Sequence, residues 1–430
     1  MTALYEPQVL ALAGGVGRVE FNRDVFDRAV REVFARGGFS PDMLADPAVR
    51  PLVEETYNAL NRAVDTAINT ETPPELTAAL QNNAFIFSGF KTYHSLSEVG
   101  LALTDADGHV KPFDTFRKDV EAIDARYNTN YLYAEYNHAV HTSQMAVKWH
   151  DFVADGDRYN LQYRTAGDER VRSEHAALDN ITLPPSDPFW RDYLPPNGWN
   201  CRCDVDQVLR NDYPMSDPEA AKAAGDACTD EPKARMFRYN AGREMTLFPK
   251  KHPYLPKGCG NCPQRGKMLL ARDRPLEQCR VCAELFNQCR KEGEKRLNEW
   301  RDNNLPQHRG MPIKGDNFRT GSLLITRQTI KEVKAHSLNF AVRDSLLGIK
   351  DGALKYRYIG WSPCKTNPDG SSSHPEAAFF LYYEVEIAGR TYYANVKAQR
   401  DYKSEELYCI RDSCYVASLR HDAPPGVEEW

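Results

Sequence analysis

Nowhere in its 430 residues does the chain hold an apolar run near the roughly 18 residues that a membrane-crossing helix requires, so no membrane partner is expected. The N-terminal stretch has no basic region ahead of its apolar residues and no evident processing site, so no secretory leader is expected. Glycine, at 26 residues, and proline, at 27, are too few and too scattered for a collagen-like or low-complexity chain. Sustained heptads and internal repeats are also missing. The AGGVG stretch at 13–17 lacks the Lys-Ser/Thr of a phosphate loop and reads as a turn. What remains is an ordinary soluble composition, 41% hydrophobic and 27% charged, long enough for two to four domains.

Charge is unevenly spread. Residues 1–100 carry 8 Lys and Arg against 13 Asp and Glu, whereas residues 231–310 carry 18 against 9. The second region suits a polyanion. A solvated basic helix is the plain alternative.

The 11 cysteines are an odd number in a chain where no leader is expected, which argues against a disulfide scaffold. Cys259 and Cys262 form one C-x-x-C, and Cys279 and Cys282 form another 16 residues on. Two such pairs supply the four thiolates of a tetrahedral, structural zinc site, and leave no open position for catalysis. Gly258 and Gly260 suit the knuckle. Leu285, Phe286, Cys289, Leu297 and Trp300 recur at helical spacing after the second pair, and Cys289 reads as core. Reduced thiols in a small core are the competing reading.

Apolar periodicity predicts helices over 22–39, 48–68, 74–90 and 112–153, the last containing more than one helix. LQYRT reads as a strand before an irregular, proline-rich course. Residues 302–314 read as a linker. Beyond it, 326–340 looks helical, and KYRYIGW, AFFLYYEVEIAG, RTYYANVKAQ and ELYCIRD read as strands, with a hairpin turn near Ala388-Gly389. The fold class expected is therefore α+β and multidomain. A mainly α region covers 1–155, and an irregular α+β domain 156–250. A zinc-knuckle or treble-clef-like module with a basic helix covers 251–310. A small domain of a helix plus antiparallel sheet covers 311–420, with a tail at 421–430.

The segment YRTAGDERVR at 163–172, continuing to SEHAALDN, is followed by DPFW, PPNGW and NCRCDV. Gly167, Asp168, Arg170, Val171, Arg172, His175, Pro195, Pro196, Cys201, Arg202 and Cys203 stand here in the order seen in the phage Mu F-like minor head proteins, the phage head morphogenesis family. The likeness extends over roughly 15–250, taking in NAFIFSGFKTYHSLSEVG upstream. It implies a structural, protein–protein role near the portal and inside the capsid. The implied location is the virion, and the bacterial host cytoplasm during assembly. It identifies no reaction, and nothing resembles a maturation protease. The basic region 231–310 would then meet packaged DNA.

Read chemically, Asp168 beside Arg170 and Arg172 suggests ion pairs that order a turn. His175, Cys201 and Cys203 suggest a second cluster with the chemistry of a zinc site but only three ligands. A buried polar network with the cysteines packed nearby is the plain alternative.

Residues 315–418 resemble the phage-associated group of the barnase, EndoU, colicin and RelE-like nucleases, toxin-like domains that such head proteins often carry. That resemblance implies metal-independent RNA cleavage, which needs a base, an acid and a cation for the phosphorane charge. The candidates are His336 at a helix end, His374 in the loop DGSSSHP, Lys397 on a strand face shared with Tyr393 and Asn395, and Tyr408 in the last strand. Lys331 and Lys334 read as surface charges. The 15 basic against 11 acidic residues over 311–411 are compatible with RNA. Two alternatives stand beside this. One is a purely structural module that binds head partners or DNA. The other is an ADP-ribosyltransferase-type effector, for which Glu384 and Glu386 are a weak signal inside a strand.

Overall fold

Asn22 opens the first helix by accepting a hydrogen bond from the backbone of Asp24, and α1 runs Arg23–Ala35 in this computed structural model. Its buried Val25, Phe26, Ala29, Val30 and Val33 make one apolar stripe, and Gly37, at φ +72°, ends it in the left-handed conformation. The structure describes residues 19–255, 276–307, 310–315, 317–336, 345–351, 356–364, 371–372, 374–387, 390–400, 404–411, 414 and 416–424. The chain divides into two compact units, one of Met1–Thr72 and Leu80–Cys289, the other of Pro73–Ala79 and Arg290–Trp430.

In the first unit α2 covers Arg50–Asp65, α4 Phe113–Asp124 and α5 Leu132–Asp155, with a π-helical turn at Ala125–Tyr131 before α5, while α3, Pro74–Leu101, belongs to this unit from Leu80 onward. α3 runs 11 residues beyond the end its periodicity suggested, because NAFIFSGFKTYHSLSEVG is largely buried and has no polar face to betray its pitch. Its interior is not wholly apolar. Lys91 and Glu135, both buried, pair across α3 and α5. Removing either partner alone would strand a buried charge. The segment 245–255 folds back onto α3. Asn83 accepts from the backbone of Leu247 and Phe248 at 2.9 and 2.8 Å, and Phe248 stacks on Phe87 at 3.7 Å between centroids.

A three-stranded antiparallel sheet follows, in the order β2-β1-β3, from β1 Tyr159–Arg164, β2 Thr182–Leu183 and β3 Asp204–Leu209. Short helices α6 Ser173–Ala176 and α7 Phe189–Tyr193, and the longer α8 Pro218–Cys228, surround it. Met145, Trp149 and Phe152 of α5 meet Leu161, Tyr163, Trp190, Tyr193 and Val205 in one core, which also contains Cys201, Cys203 and Cys228. A further short helix, α9, spans Ala241–Glu244, and α10 covers Leu276–Asn304.

The second unit holds, among the described residues, a sheet in the order β4-β5-β9-β8-β7-β6 with helix α11 at Arg327–His336. The strands are β4 Met311–Lys314, β5 Ser322–Ile325, β6 Tyr356–Pro363, β7 Ala377–Ile387, β8 Arg390–Gln399 and β9 Glu405–Arg411. The four strand-like stretches of sequence are β6 to β9. The supposed linker at 302–314 is instead the end of α10 followed by β4, which pairs with β5 from Met311↔Ile325 to Lys314↔Ser322. All pairs are antiparallel except β5 with β9, which run parallel. The hairpin turn expected near Ala388-Gly389 lies outside the described residues.

Candidate functional site

After β1 the chain turns at Gly167, where φ is +68°. Asp168 holds the turn through its carbonyl to the Val171 amide at 3.0 Å and its carboxylate to the Arg170 amide at 3.1 Å. The one-turn helix α6 then places His175 in the core, 4% exposed. The loop ahead of β3 comes back to it. Asn197 accepts from the buried Tyr163 hydroxyl at 2.8 Å, and Gly198 passes Arg172 so closely that a Cβ there would lie 3.1 Å from the guanidinium. Cys201 and Cys203 follow on one side of an extended stretch, two residues apart. Their sulfurs each lie 3.6 Å from His175 Nδ1. A third thiol, Cys228 at the end of α8, lies buried in the same core and adds to the charge on this imidazole, though its sulfur is not one of the three ligand atoms grouped within 4.8 Å.

The electrostatics are those of a thiolate–imidazolium set. Burial opposes charge on His175, yet hydrogen bonds from Cys201 and Cys228 raise it to about 10. A hydrogen bond with Cys203 and the charge of His175 hold Cys201 well below the usual thiol range, against its burial. Cys203 is pushed up, by its hydrogen bond to Cys201 and by burial. The two directions favour charge on the Cys201 thiol and on the His175 ring together. This donor set can hold a soft divalent metal.

The ion pairs include a partner the sequence did not suggest. Asp168 is paired in two parallel bonds of 2.6 and 2.7 Å with Arg202, 34 residues away, and the charge of Arg170 adds to this. Hydrogen bonding from Arg202 holds its carboxyl down at about 2. Arg172 donates to the Trp199 carbonyl at 2.8 Å, with its other nitrogen 3.4 Å from His175 Nε2. Adjacency along the chain favoured the nearer arginines, whereas the return of the 194–203 loop brings Arg202 across. The Asp168 pair lies at the surface, so it is no part of a buried network.

In the second unit His374, Lys397 and Tyr408 come together with a residue that sequence reasoning missed, Glu376. The His374 ring meets Tyr408 edge-on at 5.0 Å and Phe380 at 5.3 Å. Its Nδ1 lies 3.4 Å from Glu376. Lys397 Nζ bonds Glu376 at 3.0 Å and sits 5.0 Å from the Tyr408 ring centre. Lys397, expected as an open cation for phosphate, is only 4% exposed and already carries a carboxylate. Register explains the meeting. Lys397 opposes Phe380 on β7 and Glu406 on β9, while β9 bulges where Asn395 faces Cys409 and Val396 faces Leu407, leaving Tyr408 as the extra residue. Burial pushes the Tyr408 hydroxyl up to about 12, with Glu332 adding to it. Glu376 is held below the usual carboxylate range although burial opposes this, because its own amide, Lys397 and His374 favour the charge.

Asn395 shares this face, and its Oδ1 is buried with no hydrogen-bond partner among the described residues. The His336 side chain lies outside the described residues, though its backbone closes α11. Cys259 and Cys262 also lie outside them. So do the side chains of Cys279 and Cys282, whose backbone is in the opening turns of α10. Glu384 is engaged by Arg357 of the neighbouring strand.

Residues 102–206 match the profile of the family described as Phage Mu protein F like protein. The chain is 29% identical over 147 residues to the Putative capsid assembly protein F of Escherichia phage Mu, a match covering 32% of this chain and 30% of that protein. It is 40% identical over 47 residues to the Mu-like prophage FluMu F protein of Haemophilus influenzae, 11% of each. The chain therefore spans less than a third of the length of either relative in these matches. No solved structure matches it.

Proposed function

We propose that this Mu F-like chain is a minor head protein of a phage or prophage, acting in capsid assembly at the portal or on the capsid interior. The observation that carries the reading is the match over 102–206, whose later part is the β1-to-β3 unit with the Asp168–Arg202 pair on its surface. Portal and capsid proteins are the partners this role requires. Packaged DNA is the polyanion for the basic region 231–310. The test is made in the phage or prophage that encodes the chain. Purified heads are expected to contain it, and its deletion is expected to lower the yield of DNA-filled heads seen by electron microscopy. Heads that lack the chain, together with unchanged yield after deletion, would overturn the reading.

We further propose that the second unit is a metal-independent ribonuclease. The convergence of His374, Glu376, Lys397 and Tyr408 on one sheet face supports this, beside the unpartnered Asn395 oxygen. Glu376, ionised, takes the proton of the RNA 2′-hydroxyl, and the 2′-oxygen attacks phosphorus. His374 gives a proton to the departing 5′-oxygen, leaving a 2′,3′-cyclic phosphate. Lys397 and Tyr408 steady the charge on the phosphorane. The full chain is incubated with tRNA and total RNA in the presence of a chelator. Cleavage is expected to fall about 100-fold or more in His374→Ala and Lys397→Ala. A folded chain that cuts nothing leaves a binding module, and turnover of NAD would point to a transferase instead.

A further inference from the structure

We propose that His175, Cys201, Cys203 and Cys228 hold a structural zinc ion inside the Mu F-like unit, with Cys228 as the fourth ligand. A tetrahedral site with Zn–S near 2.3 Å and Zn–N near 2.05 Å separates nitrogen from sulfur by about 3.6 Å and sulfur from sulfur by about 3.8 Å. Both distances from His175 Nδ1 are 3.6 Å, and the three ligand atoms of His175, Cys201 and Cys203 all lie within 4.8 Å of one another. The two nitrogen–sulfur separations match that edge.

Three ligands would leave a position for water, but the surroundings are those of a closed site. Cys228 reaches the same hydrophobic core from a third segment, outside the 4.8 Å group of the other three, and would move in to complete the sphere. Buried thiols commonly pack as small hydrophobes, dispersed and inert. Here two lie 3.6 Å from one histidine nitrogen, with a third in the same core. With neutral imidazole and three thiolates the zinc complex carries a net charge of minus one. Arg202, although paired with Asp168, interacts electrostatically with both Cys201 and Cys203, and Arg172 beside the ring is the cation that offsets the complex. Nδ1 faces the sulfurs, which leaves Nε2 with its hydrogen. Arg172 then relies on its bond to the Trp199 carbonyl, consistent with its longer 3.4 Å approach to the ring.

The ion would fasten three pieces that little regular structure joins: the one-turn α6, the strand entry at Cys201–Cys203 and the end of α8. Its coordination sphere is filled, so it serves folding and not chemistry.

The full chain, produced with zinc, is assayed for metal content by mass spectrometry. Because Cys259, Cys262, Cys279 and Cys282 are candidates for a separate ion, a background with all four changed to Ser isolates the proposed site. That background is expected to retain one zinc per chain and to lose it in Cys201→Ser. After chelation, cobalt(II) is expected to restore a thiolate charge-transfer band, weakened by about a third in Cys228→Ser as three thiolates become two. His175→Cys keeps four ligands and is expected to keep the metal, which separates loss of a ligand from loss of the fold. If the four-Ser background fails to fold, the comparison is made in the native chain, where Cys201→Ser must remove one equivalent. No zinc and no cobalt band, or zinc that survives Cys201→Ser, overturns the site. A full-strength band in Cys228→Ser overturns the fourth ligand.

Discussion

At the scale of the residue, burial decides charge before sequence neighbours do. His138 lies in the core against Trp199, Phe237 and Phe248, and burial, with the nearby His141, lowers it to about 3. Its folded value is below the unfolded one near 6.5, so both states are neutral at pH 7. Below pH 6.5 the unfolded chain takes up a proton that the folded chain refuses, and stability is lost as pH falls toward about 3. Between pH 7 and pH 5 this one side chain is expected to remove about 2 kcal/mol from the first unit's stability, read by urea unfolding. His138→Gln should flatten that dependence, and an unchanged slope would assign the loss to other groups. Nothing in the sequence marks His138 as buried, because its helix also buries Asn137, Thr142 and Ser143 and shows no clean apolar stripe. His175, Cys201 and Cys203 were legible because the motif orders them. Cys228 was not, since a lone cysteine closing an alanine-rich helix has no spacing that points to partners 25 and more residues back.

At the scale of the element, helix α8 shows where propensity and packing part. Gly225 lies within it, and alanine is the better helix former by roughly 1 kcal/mol. Yet a Cβ on Gly225 would stand 2.6 to 2.7 Å from ring atoms of Tyr193, which is buried and bonded through its hydroxyl to Asp226 at 2.8 Å. Gly225→Ala is therefore expected to destabilise the unit by about 1–3 kcal/mol in thermal or urea unfolding. A stabilised variant would mean that Tyr193 yields freely. The strong helices and the aromatic strands β6 to β9 could be read from period alone. β4 could not, because four residues with two polar or proline positions carry too little alternation. The parallel pairing of β5 with β9 could not either, because strand order depends on partners about 80 residues apart. The bulge at Tyr408, which aims that ring at His374 and Lys397, is likewise invisible until the partner strand's register is known.

At the scale of the whole molecule, charge and strand order matter more than any single contact. The nine excess positive charges over 231–310 predict duplex DNA binding that depends steeply on salt. For about six phosphate contacts, affinity should fall roughly 10³-fold between 50 and 200 mM salt, as measured by fluorescence anisotropy. A flat salt dependence would leave the charge to protein partners. The order β4-β5-β9-β8-β7-β6 sets the last strand of the sheet between strands made much earlier. Until residues 405–411 have left the ribosome, β5 has no neighbour on that side and Tyr408 has not arrived. A chain stopped before residue 405 thus holds two unjoined half-sheets, β4-β5 and β8-β7-β6, and lacks the face that Tyr408 completes, so this unit is an all-or-nothing product of translation.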